Sequence, residues 1–196
     1  LRHTQFSLLL LFLILVASAS FVSADPVVVT NGGPAVTLTF LSSNSSVHGT
    51  ATFSLSGNVL TIVMTNTSTT PAGEGVITGL GFDTTPNIVV SSASFSGSGS
   101  GWQYATNGGG LGGLEHRHSV SGIGNGLNPG QTMTAVLTLG NGFSGNLTID
   151  LAKMHIQAIP PTGDSEKPTG TTRVPEPGTL SLLGLGLLVG RLCRRR

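Results

Sequence analysis

The stretch "ATFSLSGNVLTIVMTNTS", residues 51–68, decides how the middle of this chain is read. Apolar and hydroxyl residues alternate along it, placing Phe53 and Leu55 on one face, then Leu60, Ile62 or Val63, and Met64 after a break at Ser56-Gly57-Asn58. A period of two belongs to a half-buried strand, because successive side chains of a strand point to opposite faces. Two such runs around a short Gly-Asn turn predict a β-hairpin.

The same device recurs outward from the hairpin. "AVTLTFL" puts Val36, Leu38 and Phe40 opposite Thr37 and Thr39, and further strands are expected in "GVITGLGFD", "NIVVSSASF" and "TMTAVLTLG". The segment "NLTIDLAKMHIQAI", residues 146–159, alternates less regularly; Thr148, Ile149 and Ile156 favour two strands or one bent strand over a helix. Several short strands separated by turn signals point to an all-β, antiparallel sandwich or jelly roll over residues 25–159.

Between residues 96 and 130 glycine is too dense for a regular element throughout, since each fixed glycine forfeits more chain entropy than it repays in packing. A long loop is expected there, with short strands near Trp102–Ala105 and His116–Val120. Trp102 and Tyr104 would either pin that loop to the sheet or lie exposed as a platform for a sugar ring. Residues 160–173, rich in Pro, Gly, Thr and charge, read as a flexible linker.

Composition narrows the partners. Only 9% of the residues are charged, against about 25% in an average soluble protein, so surface polarity must come from hydroxyls and amides. The net charge of +1 is weighted to Arg191, Arg194, Arg195 and Arg196, which leaves no clustered cations in the central domain to bind phosphates; nucleic acid is therefore not an expected partner. The single cysteine, Cys193, rules out an intramolecular disulfide.

The two ends carry processing signals. Arg2 and His3 precede the apolar run "FSLLLLFLILVASAS", and small residues close it, the order of a secretory signal peptide over residues 1–24 with cleavage after Ala24. Signal peptidase and the Sec export machinery are the partners this implies. At the other end Pro175 and Pro177 stop any strand, Gly178-Thr179 opens a helix, and Leu and Gly dominate from Leu180 to Val189 before the arginines begin. An exported chain would stall here with its arginines on the cytoplasmic side of the inner membrane. The run falls short of the ~20 residues that span a bilayer. Counting from Gly178 to Cys193, with Arg191 snorkelling, lengthens it into a marginal anchor.

"VPEPGT", a Leu/Gly-rich helix and a terminal "RRR", in that order, resemble the PEP-CTERM sorting signal of exported bacterial proteins handled by exosortase. The resemblance implies Val174, Pro175, Glu176 and Pro177 as the recognition motif within residues 174–196, Leu180–Val189 as a transient membrane helix, and Arg191, Arg194, Arg195 and Arg196 as its stop. It also implies a membrane-embedded transpeptidase that cuts near the motif during surface sorting, often beside extracellular polysaccharide production. The hairpin, "VITGLGFD", "GWQY" and "HIQAI" further resemble the body of a recurring class of such proteins, which implies an extracellular β domain and supplies no reaction.

Tests for chemistry give little. His116 and His118 point the same way on a strand and could share a metal, but zinc needs further ligands, Glu115 points opposite, and exposed loop histidines are the expectation. "GGGLGG" at 108–113 fits G-x-G-x-x-G without the strand-to-helix turn that gives the pattern meaning. No G-x-S-x-G elbow and no calcium loop occurs. Asp83 and Glu115 could pair as glycosidase carboxylates, yet solvated strand-end carboxylates are expected. Asn44, Asn66 and Asn146 sit in glycosylation sequons and are read as turn and strand-edge residues.

The sequence therefore predicts a non-catalytic, cofactor-free, exported surface or extracellular-matrix protein, transiently anchored, sorted by exosortase and associated with extracellular polysaccharide or biofilm. A secreted carbohydrate-binding module using Trp102 and Tyr104 is the first alternative, and a secreted hydrolase the second.

Overall fold

A computed structural model describes residues 26–107 and 111–172. The signal peptide with Ala24, the sorting motif Val174–Pro177, the expected membrane helix and the arginine stop lie outside the described residues. Within them the chain is all-β, built from two antiparallel sheets facing each other across one core. Among the described residues no helix is long and apolar enough to cross a membrane.

The strands in chain order are β1 (Val27–Val29), β2 (Val36–Leu41), β3 (His48–Ser56), β4 (Val59–Asn66), β5 (Val76–Thr85), β6 (Val90–Gly97), β7 (Gln103–Thr106), β8 (His116–Ser119), β9 (Thr132–Leu139), β10 (Leu147–Ile159), β11 (Asp164–Glu166) and β12 (Gly170–Thr171). One sheet runs β1-β10-β5-β8-β7, with β11 sharing β10's outer edge with β1; the other runs β12-β2-β3-β4-β9-β6. The meander β2-β3-β4 makes the second sheet, as the opening hairpin requires: Ser56 pairs with Val59, and Gly57 takes a φ of 59° at the first loop position, where mirror-image hairpin turns need a left-handed residue. Leu38, Phe40, Phe53, Leu55, Leu60, Ile62 and Met64 are all buried, and Ile62 rather than Val63 faces the core.

β10 is one bent strand. Its buried positions are Leu147 and Ile149, then Ala152, Met154 and Ile156, then Ile159. The alternation slips by one residue after Ile149 and again after Ile156, and register shifts against its neighbours occur at the same two places. A β-bulge adds a residue and returns the following side chains to the same face. The irregular alternation of this segment in the sequence is thus the trace of its bulges.

β5 lies between β10 and β8 and is buried on both faces. Leu80 and Phe82 enter the core, where Phe82 meets Phe53 of the other sheet edge to face with ring centroids 5.7 Å apart. On the outer face Gly81 leaves room for Leu111 and Leu114: a Cβ there would stand 2.9 Å from a Leu114 methyl carbon. Leu111 and Leu114 are buried, so residues 111–114 dock on the sheet rather than forming open loop.

The linker expected at 160–173 is corrected over the described residues 160–172. β11 joins the first sheet, β12 joins the second by pairing Gly170 with Phe40, and Glu166 accepts hydrogen bonds from the Ser43 amide, at 2.8 Å, and hydroxyl. The chain crosses from one sheet to the other here. Pro and Gly are compatible with such short edge strands, which is why the composition resembles that of a linker.

The three sequon asparagines are structural. Asn66 is fully buried; its amide donates to the carbonyls of Gly75 and Leu127 and its oxygen accepts from Ser68 N–H. Asn44 donates to the Pro160 carbonyl, and Asn146 accepts from the Asn31 amide.

Candidate functional site

The polar chemistry of the core is gathered at one end of the sandwich, where β8 and β7 follow β5. In an antiparallel ladder directly opposed residues share a face. Leu80 opposes His118, Phe82 opposes His116, and Tyr104 opposes His118 from β7, so both histidines and Tyr104 project with Phe82 toward the core. His116 and His118 retain 1% and 0% of their surface. The shared direction was legible from their spacing; the expectation that they are exposed loop residues is overturned, because residues 116–119 form an interior strand whose inner face carries them.

Aromatic rings surround the pair. Phe82 lies 5.1 Å from His116 and 5.6 Å from His118 between centroids, and Phe95 of the opposite sheet reaches His118 edge-on at 5.7 Å. Tyr104 Oη and His116 Nδ1 are joined by a 2.8 Å hydrogen bond. His116 Nε2 and both ring nitrogens of His118 have no hydrogen-bond partner. Burial disfavours the imidazolium, and the neighbouring His116 adds to it, so the His118 pKa is pushed down to about 3. His116 is lowered by burial, against an opposing pull from Asp83. Burial raises Tyr104 to about 12.

This arrangement keeps both imidazoles neutral near pH 7. No group of three His, Cys, Asp or Glu side chains able to hold a metal occurs among the described residues. His118, wholly buried, cannot reach an external substrate as a base. Asp83 and Glu115 are brought side by side at the start of β8, and Asp83 Oδ1 accepts the Glu115 amide hydrogen at 2.7 Å. That bond gives Asp83 a structural task, holding the entry to β8.

Outside the aromatic cluster the two sheets part at their β6 and β7 edges. A cleft of about 490 Å³ opens there, lined by Val90, Ser91, Ser92, Ala93, Phe95, Trp102, Gln103 and Tyr104. A narrower recess of about 310 Å³ continues along residues 93–102. The larger space is wide open to solvent, a shallow trough along the sheet edge rather than an enclosed ligand pocket. No charged side chain lines either space. Of the two roles open to Trp102, pinning is the one observed: it keeps 8% of its surface and belongs to the core cluster, while Tyr104 is half-buried. The freely exposed stacking platform is corrected accordingly. Residues 97–101 turn tightly enough to fold the indole back onto the sandwich edge, a closure that glycine at 97, 99 and 101 permits.

Sequence reasoning missed the asparagine hubs and the docking of Leu111 and Leu114. The only available signal for the docking was glycine at 79 and 81 inside an otherwise apolar strand.

Residues 173–196 match the PEP-CTERM protein-sorting motif. No curated protein and no solved structure matches the chain. The motif implies export, a membrane-anchored C-terminal sorting signal and handling by exosortase.

Proposed function

We infer that the β-sandwich is the non-catalytic cargo of this sorting signal: a surface or extracellular-matrix protein, released or transferred when exosortase acts near Val174–Pro177, and associated with exopolysaccharide in a biofilm. The observation that carries this reading is the sorting motif at 173–196, which begins just after β12 ends at Thr171. Since β12 already closes the second sheet at Gly170–Thr171, a cut near the motif would leave the sandwich whole.

Two features support a non-catalytic role. The buried histidines are sealed from substrate, and Asp83 is engaged by the Glu115 amide. An uncharged cleft whose adjoining recess is lined by Ser94, Ser96, Ser98 and Ser100 suits a hydrated neutral polymer better than a charged one. The test is fractionation of the host expressing the native chain or the double substitution Glu176→Ala, Pro177→Ala. The native protein should appear at the surface or in the medium, with the variant held in the membrane fraction. Equal distribution of the two would refute sorting through this motif. Reproducible turnover of a glycan, ester or peptide, abolished by Asp83→Asn or Glu115→Gln, would refute the non-catalytic part.

A further inference from the structure

The geometry points to β6 as a self-association edge: a second copy of this chain pairs its own β6, antiparallel, along the cleft between β6 and β7. This goes beyond sorting, and the released form used to test it rests on that reading.

The other terminal strands are short. β7 has four residues, β1 and β11 three each, and β12 two, whereas β6 has eight and pairs only with β9 among the described residues. Its ladder parity is fixed, because Ser98 N–H donates to the Thr132 carbonyl at 2.8 Å. Alternate residues of an antiparallel strand turn their backbone groups to the same neighbour. Ser96 and Ser94 therefore face β9, and the N–H and C=O groups of Ala93 and Phe95 point away from it into the cleft.

Natural sheets block such edges with Lys, Pro, inward charges or bulges. "VSSASFSG" has no charge and no proline, and its one bulge, at Ser91, lies at the start. The absence of charge suits a second copy of the same strand. Across a two-fold axis a strand meets its own sequence, and a charged strand would meet its own charge. An axis passing beside Ser94 sets Ala93 of each copy opposite Phe95 of the other, giving two pairs that each exchange backbone hydrogen bonds, with Ser94 facing Ser94. The incoming strand would also cover the exposed edges of Trp102 and Gln103. One strand pair buries less than the ~1,200 Å² of a stable interface, so the association is weak and appears where the protein is concentrated, as on a surface.

Sedimentation velocity on the exported protein, in the form the cell releases, tests this. The native protein should rise from monomer toward dimer mass with concentration. Ala93→Pro removes an N–H that makes no bond to β9, and should keep the same thermal unfolding while weakening association at least tenfold. Ser94→Lys and Ser94→Glu test the same edge without touching the backbone. Each should stay monomeric at low salt, and an equimolar mixture should recover association, which a merely misfolded pair would not do. A native protein that remains monomeric throughout the range overturns the proposal. So do variants that associate as well as the native chain, and so does a monomer whose cleft is instead occupied by a neutral polysaccharide in a co-sedimentation control.

Discussion

The two ends of the sandwich core are filled by different means. Around the β3–β4 hairpin the inward positions Ala51, Phe53, Leu55, Leu60, Ile62 and Met64 are all apolar and alternate without interruption, and the ladder is regular from Gly49–Asn66 to Ser56–Val59. Around β8 the inward positions are His116 and His118, held among Phe82, Phe95 and Tyr104, with ring nitrogens left unpaired. Phe82 belongs to both ends, touching Phe53 on one side and the imidazoles on the other. No titratable side chain occupies the inward positions at the hairpin turn. At the histidine end packing depends on the imidazoles staying neutral.

The contrast can be broken at the joint. Phe53→Ala, monitored by denaturant unfolding, should cost about 3–5 kcal/mol, the usual range for a buried aromatic whose site cannot collapse. A loss under 1 kcal/mol would mean that the two ends do not share one packed core.

Acidification should separate the ends next. His118 is depressed in the folded state, so the unfolded chain binds more protons between its ordinary value near 6.5 and about 3. Stability should therefore be full above about pH 6.5 and fall as pH drops through that window, by up to about 1.4 kcal/mol for each tenfold rise in proton concentration. His116 and His155, also lowered, act with the same sign. His118→Leu should flatten most of the slope, and at neutral pH should be neutral or stabilising by about 1 kcal/mol, since it removes buried groups without partners. An unchanged slope in that variant would place the acid sensitivity elsewhere.

Gly81→Val probes the outer face behind the histidine end. The new Cβ would press on Leu111 and Leu114, and a loss of about 1–3 kcal/mol is expected, with faster amide exchange confined to residues 111–115. The smallest effect should come from Tyr104→Phe, about 1 kcal/mol from losing one hydrogen bond to His116, seen as a drop in thermal midpoint.

The same contrast explains how much of the fold is legible in the chain itself. β2, β3, β4 and β9 are legible because alternation on one buried face is recorded residue by residue in the sequence. β8 is legible only in its parity: the spacing of His116 and His118 puts them on one face, but a four-residue strand does not say which face turns inward. That choice is made by β5 and β7, which pair on either side of it. Residues 160–172 are illegible for a related reason, because two- and three-residue edge strands gain their order from β2 and β10 rather than from their own composition. Leu111 and Leu114 owe their burial to glycines some thirty positions earlier. The sorting signal needs no tertiary partner to be recognised, since its information lies in the order of three adjacent segments.

On the proposed function the sandwich is exported and freed of its tail. The most direct measurement is the intact mass of the protein recovered from the cell surface or medium. A released mature form should begin near Asp25 and end close to Val174, keeping every strand from β1 to β12. A surface form joined to another molecule should instead show that truncated mass plus a discrete addition. A mass that retains residues 178–196 would contradict the claim and make the C-terminal segment a permanent anchor.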